Sequence, residues 1–340
     1  MNTVLVTGGA GYVGSHLVRK LLALGRHVRV LDRFLYGDHG LTGLLGDAGL
    51  ELFEGDVRDR AAVMKAARGT DAVIALAALV GDAACDLNPT ETASINLDST
   101  RLIAEVCDEL EIPRLVFASS CSVYGAGGDE ILTETSELAP VSLYAQTRID
   151  SEAILDEYRD RLSVVILRLA TVFGLSPRMR LDLIVNTFAS QAFFNGRIRV
   201  FGGGQWRPNL HVQDAASAFM LAAEVPDAIA RSQIFNVGDN SANHTVLDVA
   251  GMVHTALPDT AVEVTDSVTD QRNYRVSFDK INQHLGYRAR FGVADGIAEI
   301  VAACRDRRIC GLNDPRYSNI QCLKLKAFGR VRSAPTTAAA

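Results

Sequence analysis

Apolar positions in the first half of the chain follow two rhythms in alternation. Short, almost unbroken apolar runs at 3–7, 27–32, 51–54, 72–76, 114–118 and 164–169 read as buried strands. Between the first two, Val13, Leu17, Leu21 and Leu24 recur at helical spacing, and Gly25 ends the segment as glycine often does at a helix C-terminus. Further helices are predicted near 60–68, 91–110 and 143–160. Strands that alternate with helices in this way predict a parallel sheet covered on both faces. From Gly174 the rhythm changes. Short strands at 198–201, 234–237 and 262–264 lie among helices near 181–193, 213–224, 245–256, 277–285 and 293–307, which predicts a smaller lobe interleaved with the first. The expected division is 1–173, 174–310 and a C-terminal extension over 311–340, whose end from about Phe328 reads as disordered.

Composition sets bounds on function. The chain has 340 residues, 48% hydrophobic and 22% charged, which is ample for one large or two coupled globular domains. A formal net charge of −6 gives no global basic field and argues against sequence-independent nucleic-acid binding. The six cysteines (Cys85, Cys107, Cys121, Cys304, Cys310 and Cys322) form no CxxC pair, and no histidine cluster has zinc spacing. Free thiols in a reducing cytoplasm, and no metal, are therefore expected. The N-terminus opens on a strand and a glycine loop rather than a signal peptide, and the longest apolar run, 72–80, is far short of the ~20 residues that span a bilayer.

The chemistry begins at Gly8-Gly9-Ala10-Gly11-Tyr12-Val13-Gly14, a GxxGxxG run between a strand and a helix. Gly8 permits the tight turn, Gly11 lets the backbone approach a pyrophosphate, and Gly14 lets helix and strand pack closely. The helix start, with Tyr12 and Val13, offers N–H groups and the positive end of the helix dipole. Asp32 ends the next strand, where an acid accepts hydrogen bonds from the adenosine ribose and repels a 2′-phosphate. NAD is thus the expected cofactor, with Arg33 alongside as the feature that favours NADP. Asp56 and Val57 follow the third strand, where an adenine would sit, and Leu76, Ala77 and Ala78 follow the fourth, where a pyrophosphate or a nicotinamide ribose would approach the backbone. The predicted fold class is α/β: a Rossmann-type doubly wound parallel sheet with a smaller α/β C-terminal substrate lobe. Its ligands belong at the C-terminal ends of the strands, between the lobes.

Two further segments are more specific. Ser119-Ser120-Cys121-Ser122-Val123-Tyr124-Gly125 follows the fifth strand, and Tyr144-Ala145-Gln146-Thr147-Arg148 sets a tyrosine and a cation on one helical face. With the glycine run, this pattern resembles the extended short-chain dehydrogenase/reductase family, in its NAD-dependent nucleotide-sugar epimerase/dehydratase branch of the UDP-galactose 4-epimerase type. The resemblance runs over roughly 2–305. It implies that Tyr144 is the acid/base at a sugar hydroxyl and that Ser120 hydrogen-bonds the same oxygen. It places Asn96, Ser119, Tyr144 and Arg148 at the cofactor, and it implies a homodimer through the helices near 91–110 and 143–160. A free tyrosine titrates near about 10, so it needs adjacent positive charge to act as a base at neutral pH.

The chain departs from the family pattern at several positions. Arg148 stands where the family has lysine; it keeps the charge, but its fork is planar and larger. Lys20, Lys65, Lys280, Lys324 and Lys326 are the only lysines among 34 basic residues, so arginine is this chain's usual cation. Retained and impaired catalysis are both open on that ground. Cys121 and Ser122, assigned to the substrate side, stand where sugar-nucleotide dehydratases carry Asp-Glu, which disfavours dehydration. Cys121 reads either as an acid or as a buried structural thiol. The resemblance assigns Arg207 and Arg272 to the substrate diphosphate, while Pro208 replaces a family Asp and Thr171 an asparagine that touches substrate. His211 and Asp214 read as structural, and Arg178 as a substrate ligand or part of a solvated basic loop. The implied function is C4 epimerisation of a nucleotide-activated sugar through a 4-keto intermediate. A nucleotide-sugar 4-ketoreductase and a non-catalytic dinucleotide-binding sensor or scaffold are the alternatives.

Overall fold

Successive residues of the first strand face two different cores. Val4 and Val6 join one apolar cluster, and Leu5 joins another with Leu31, Val73 and Leu115. A strand buried on both faces belongs inside a parallel sheet, and full burial of each such side chain is worth ~1.5–3 kcal/mol. The protein, described here by a computed structural model over residues 1–267 and 270–327, builds that sheet from seven strands. They are β1 (Thr3–Thr7), β2 (His27–Asp32), β3 (Leu50–Glu54), β4 (Ala72–Ala75), β5 (Arg114–Ser120), β6 (Val164–Leu169) and β7 (Gln233–Val237). All pair in parallel, in the order β7-β6-β5-β4-β1-β2-β3. The order reverses between β1 and β4, which opens a crevice at their C-terminal ends. The tail expected to be disordered from about Phe328 lies outside the described residues.

Local chemistry sets the helices. The first, Gly14–Ala23, ends just before Gly25, whose φ of +71° favours glycine. The helix predicted near 91–110 is three joined pieces: Pro89–Ala93, capped by the Asn88 side chain, a π-helical turn Ser94–Asp98, and Ser99–Glu109. In the second half, the helices Ile184–Asn195, Val246–Ala256 and Val293–Arg305 enclose a separate apolar cluster.

The seventh strand and the helix Val212–Glu224, both expected from the periodicity of the second half, complete the main sheet and its cover. One finding differs from the periodicity. Five short strands are absent from the apolar pattern: Ala126–Leu132, Thr171–Phe173, Trp206–His211, Asn243–Thr245 and Asn273–Val276. Most are polar or glycine-rich, Thr171–Phe173 is only three residues long, and one contains Pro208. They form because they meet one another in two small sheets over the main one.

A buried polar network joins these parts. Arg168 on β6 donates to Glu152 through Nε (3.0 Å) and Nη2 (2.6 Å), and Ser119 on β5 donates to the same carboxylate at 2.5 Å. Arg168 also donates to the Tyr124 hydroxyl, which donates in turn to Asn236 on β7. Glu152 sits on the helix Leu143–Asp156, so this network bolts that helix to the sheet. Replacing Glu152 with alanine strands a buried guanidinium and is expected to lower the unfolding free energy by ~3–5 kcal/mol. The check is the urea midpoint at constant slope; an unmoved midpoint would refute the account.

Candidate active site

A cavity of about 310 Å³ occupies the crevice at the β1–β4 reversal. Its floor is the glycine loop: Gly8, Gly11, Tyr12, Val13 and Gly14 all line it. A Cβ on Gly14 would stand 2.3 Å from the Gly8 carbonyl oxygen, and one on Gly8, at φ +72°, would stand 2.8 Å from the Ala77 nitrogen. Side chains are therefore excluded where the loop, the helix and the strand end converge. The helix Gly14–Ala23 has no side-chain cap and no acid in its first turn. Among the described residues, the N–H groups of Tyr12 and Val13 have no acceptor. Uncapped donors at a helix N-terminus inside a cavity suit a phosphate.

Asp32, Arg33 and Val57 line one end of the cavity. The Asp32 carboxylate accepts from the backbone of Ala10 (3.0 Å) and Phe34 (2.8 Å), so it holds the loop as well as facing a ribose. Burial raises its pKa, against the lowering effect of those N–H groups. Arg33 lies 3.4 Å from Asp56 and 3.9 Å from Glu91, and these carboxylates offset the charge that a 2′-phosphate would need.

Leu76, Ala77, Ala78, Ser119 and Ser120 line the middle. Opposite them, the helix Leu143–Asp156 begins at the Ser142 cap and carries Tyr144, Arg148 and Glu152 at four-residue spacing on one face. Both Tyr144 and Arg148 line the cavity. The Arg148 guanidinium carbon lies 5.3 Å from the Tyr144 ring centre and 5.3 Å from that of Phe117, and its Nη1 donates to the Ala118 carbonyl. Its Nε and Nη2 have no partner among the described residues, which fits a group bearing hydroxyls such as a nicotinamide ribose. Burial raises the Tyr144 pKa, and the charge of Arg148 is the largest influence bringing it down. Ser120 Oγ accepts from the Ser122 N–H, which leaves its own proton available to a ligand.

Ser122, Thr171, Arg178 and Arg272, the residues assigned to the substrate, also line the cavity. Four residues singled out from the sequence do not. Cys121 is fully buried, its thiol donates to the Arg168 carbonyl, and burial pushes its pKa up, so it is a core thiol and no acid. Asn96 spends its amide on both backbone groups of Leu79 and on Thr147, so it supports the wall from behind. Asp56 is held by Arg58. Arg207 is buried beneath Arg272 and lies 3.0 Å from Asp270, which Arg272 also grips. Burial opposes ionisation of Asp270, yet the two guanidiniums hold its carboxyl well below the usual range. Tyr36, Asp82 and Asn319, which the sequence does not single out, also line the cavity, as does Arg180 of the basic segment Pro177-Arg178-Met179-Arg180. Asp82 carried one usable signal, since it follows β4 closely at the reversal; Asn319 carried none.

The NAD dependent epimerase/dehydratase family model matches residues 4–238. A dTDP-glucose 4,6-dehydratase from an Actinoplanes species is 27% identical over 319 residues, which is 90% of this chain and 98% of that protein. MoeE5, solved with UDP-glucuronic acid and NAD, is 29% identical with a TM-score of 0.78 over 90% of this chain and all (100%) of that one. The UDP-glucose 4-epimerase of Thermus thermophilus, solved with NAD, is 30% identical with a TM-score of 0.77 over 89% of this chain and 99% of that one. The chain belongs to the NAD dependent epimerase/dehydratase family, with NAD as its cofactor.

Proposed function

We propose that this enzyme epimerises a nucleotide-activated sugar at C4 through a 4-keto intermediate. One observation carries the reading: Tyr144, Arg148 and Ser120 share the cavity, but among the described residues no acid is placed there to expel water. The Cys121 thiol is turned into the core, and Ser122 is a neutral hydroxyl. The carboxylates that line the cavity are Asp32, held by backbone N–H groups, and Asp82, 3.4 Å from Arg272. Dehydration needs a proton donor for the departing hydroxyl, whereas epimerisation needs only one group that takes a proton and returns it.

Bound NAD supplies the acceptor and donor of the C4 hydrogen. Tyr144 takes the proton of the 4-hydroxyl, and Ser120 donates to the same oxygen. Arg148 stabilises the tyrosinate, keeping the base usable despite its burial. The nucleotide diphosphate belongs on Arg272, which Asp270 holds in place with Arg207 behind it. A homodimer built on the helices Ser99–Glu109 and Leu143–Asp156 is part of the same reading.

UDP-glucose and UDP-glucuronic acid are the first substrates to test, because MoeE5 was solved with each. A product of unchanged mass with inverted C4 supports the reading, and loss of water or carbon dioxide would overturn it. Tyr144→Phe is expected to lower turnover by about 10²–10⁴-fold while NAD still binds; unchanged turnover would sink the assigned role. Arg148→Met removes the charge that lowers the Tyr144 pKa, so the rising limb of kcat/KM against pH should move to higher pH. A limb that stays in place would show that Arg148 does not tune the base.

A further inference from the structure

Arg178 is only 4% exposed, yet among the described residues no carboxylate lies within ion-pairing distance of it. Its guanidinium carbon sits 4.3 Å from the Tyr36 ring centre, and its Nε has no partner. The bond it does make, 2.6 Å from Nη2, goes to a neutral acceptor, Oδ1 of Asn319. A buried cation without a counter-ion is costly unless an anion completes its surroundings. The neighbouring Arg180 differs, because Asp182 grips it at 2.9 and 3.2 Å.

Position narrows the anion. Tyr36 and Arg178 form the partition between the cavity that holds the glycine loop and a second one of about 670 Å³. The second cavity contains neither the glycine loop nor Tyr144. Within the first, the charge of Arg178 is felt at Asp32 and Tyr36, and that of Arg180 at Tyr12, Tyr36 and Tyr144. The two arginines thus span from the adenosine end to the catalytic tyrosine. That is the stretch over which the Tyr12 and Val13 N–H groups also await an acceptor.

Asn319 begins the helix Asn319–Ala327 of the C-terminal extension and is 2% exposed. Its Nδ2 donates to the Val80 carbonyl at 3.1 Å, and its backbone N–H to Asp182 at 3.3 Å. One residue thereby touches the loop after β4, the guanidinium of Arg178 and the partner of Arg180. Nearby, Leu181 donates to the Tyr317 carbonyl, and Leu323 packs against the Leu79 cluster beside Tyr144.

We propose that Arg178 binds the diphosphate of NAD from the side opposite the glycine loop, and that Asn319 is the positioning residue that holds it there. Asn319 suits this task because it fixes the guanidinium without cancelling its charge. The inference rests on NAD as the cofactor and is independent of the reaction assigned to Tyr144. It moves Arg178 from the substrate to the cofactor.

The test titrates the full-length chain, stripped of cofactor, with ADP-ribose, adenosine and UDP by calorimetry. Arg178→Met should weaken ADP-ribose by about 10–100-fold and leave adenosine within about twofold. Asn319→Ala should weaken ADP-ribose by about 3–10-fold, and Asn319→Asp by more, since it keeps the acceptor but neutralises Arg178. A merely structural asparagine would tolerate aspartate better than alanine, and that order would overturn the proposal. So would an equal loss for adenosine, or a loss confined to UDP, which would return Arg178 to the substrate. If Arg178→Met fails to fold, the order of the two Asn319 variants decides.

Discussion

The active site depends on one buried ion pair, Arg168–Glu152, which is almost closed to solvent. Two charges in an apolar core are tolerable only when their remaining hydrogen-bonding groups are met, and here Ser119 and Tyr124 meet them. The geometry that results is narrow. Glu152 lies two helical turns beyond Tyr144 with Arg148 between, so fixing Glu152 against β5 and β6 fixes the rotation of the whole face. Ser119 binds this carboxylate from the strand that also ends in Ser120. Tyr144 and Ser120 therefore share one anchor.

The same face explains how arginine takes the place of lysine. A guanidinium needs planar surroundings, and Arg148 finds them between the rings of Tyr144 and Phe117. One terminal nitrogen is bonded to the Ala118 carbonyl, while two nitrogens remain for a ligand. The charge stays beside the tyrosine, where it opposes the effect of burial on the hydroxyl. The substitution thus keeps a positive charge beside Tyr144 while presenting a planar group in place of an ammonium.

The two lobes meet through hydrogen bonds that pass directly behind the glycine loop. The Tyr12 hydroxyl donates to the Gly174 carbonyl at 2.6 Å and accepts from Asn186 at 3.0 Å. Ser176 donates to the Tyr12 carbonyl, and His211, packed under this junction, pairs with Glu299 at 3.0 Å. Asp214 accepts from the backbone of Arg290 and Phe291 in the same structural role. The glycine loop is therefore tied directly to the second lobe, while Asn319 of the C-terminal extension bonds to Arg178 and Val80 in the wall of the same cavity.

The sequence by itself determined the parts governed by neighbours along the chain. Strand and helix alternation, the glycine positions, Asp32 at the end of β2 and the four-residue spacing of Tyr144 and Arg148 are local patterns, because periodicity and turn chemistry act over a few residues. Tertiary structure decided what depends on meetings across the chain. The polar strand Trp206–His211 exists because Asn243–Thr245 and Thr171–Phe173 lie beside it. Cys121, next to Ser120 in sequence, enters the core because the strand ends at Ser120 and Cys121 opens the 3₁₀ turn Cys121–Tyr124, which breaks the strand's alternation. Asn96 and Arg207 lost their expected places to nearer partners, Leu79 and Asp270. Asn319 reaches Val80 across 239 positions of chain, a contact that no local pattern encodes. Burial and hydrogen-bond satisfaction are properties of the whole packed chain, and they settled which of the candidate residues face the cavity.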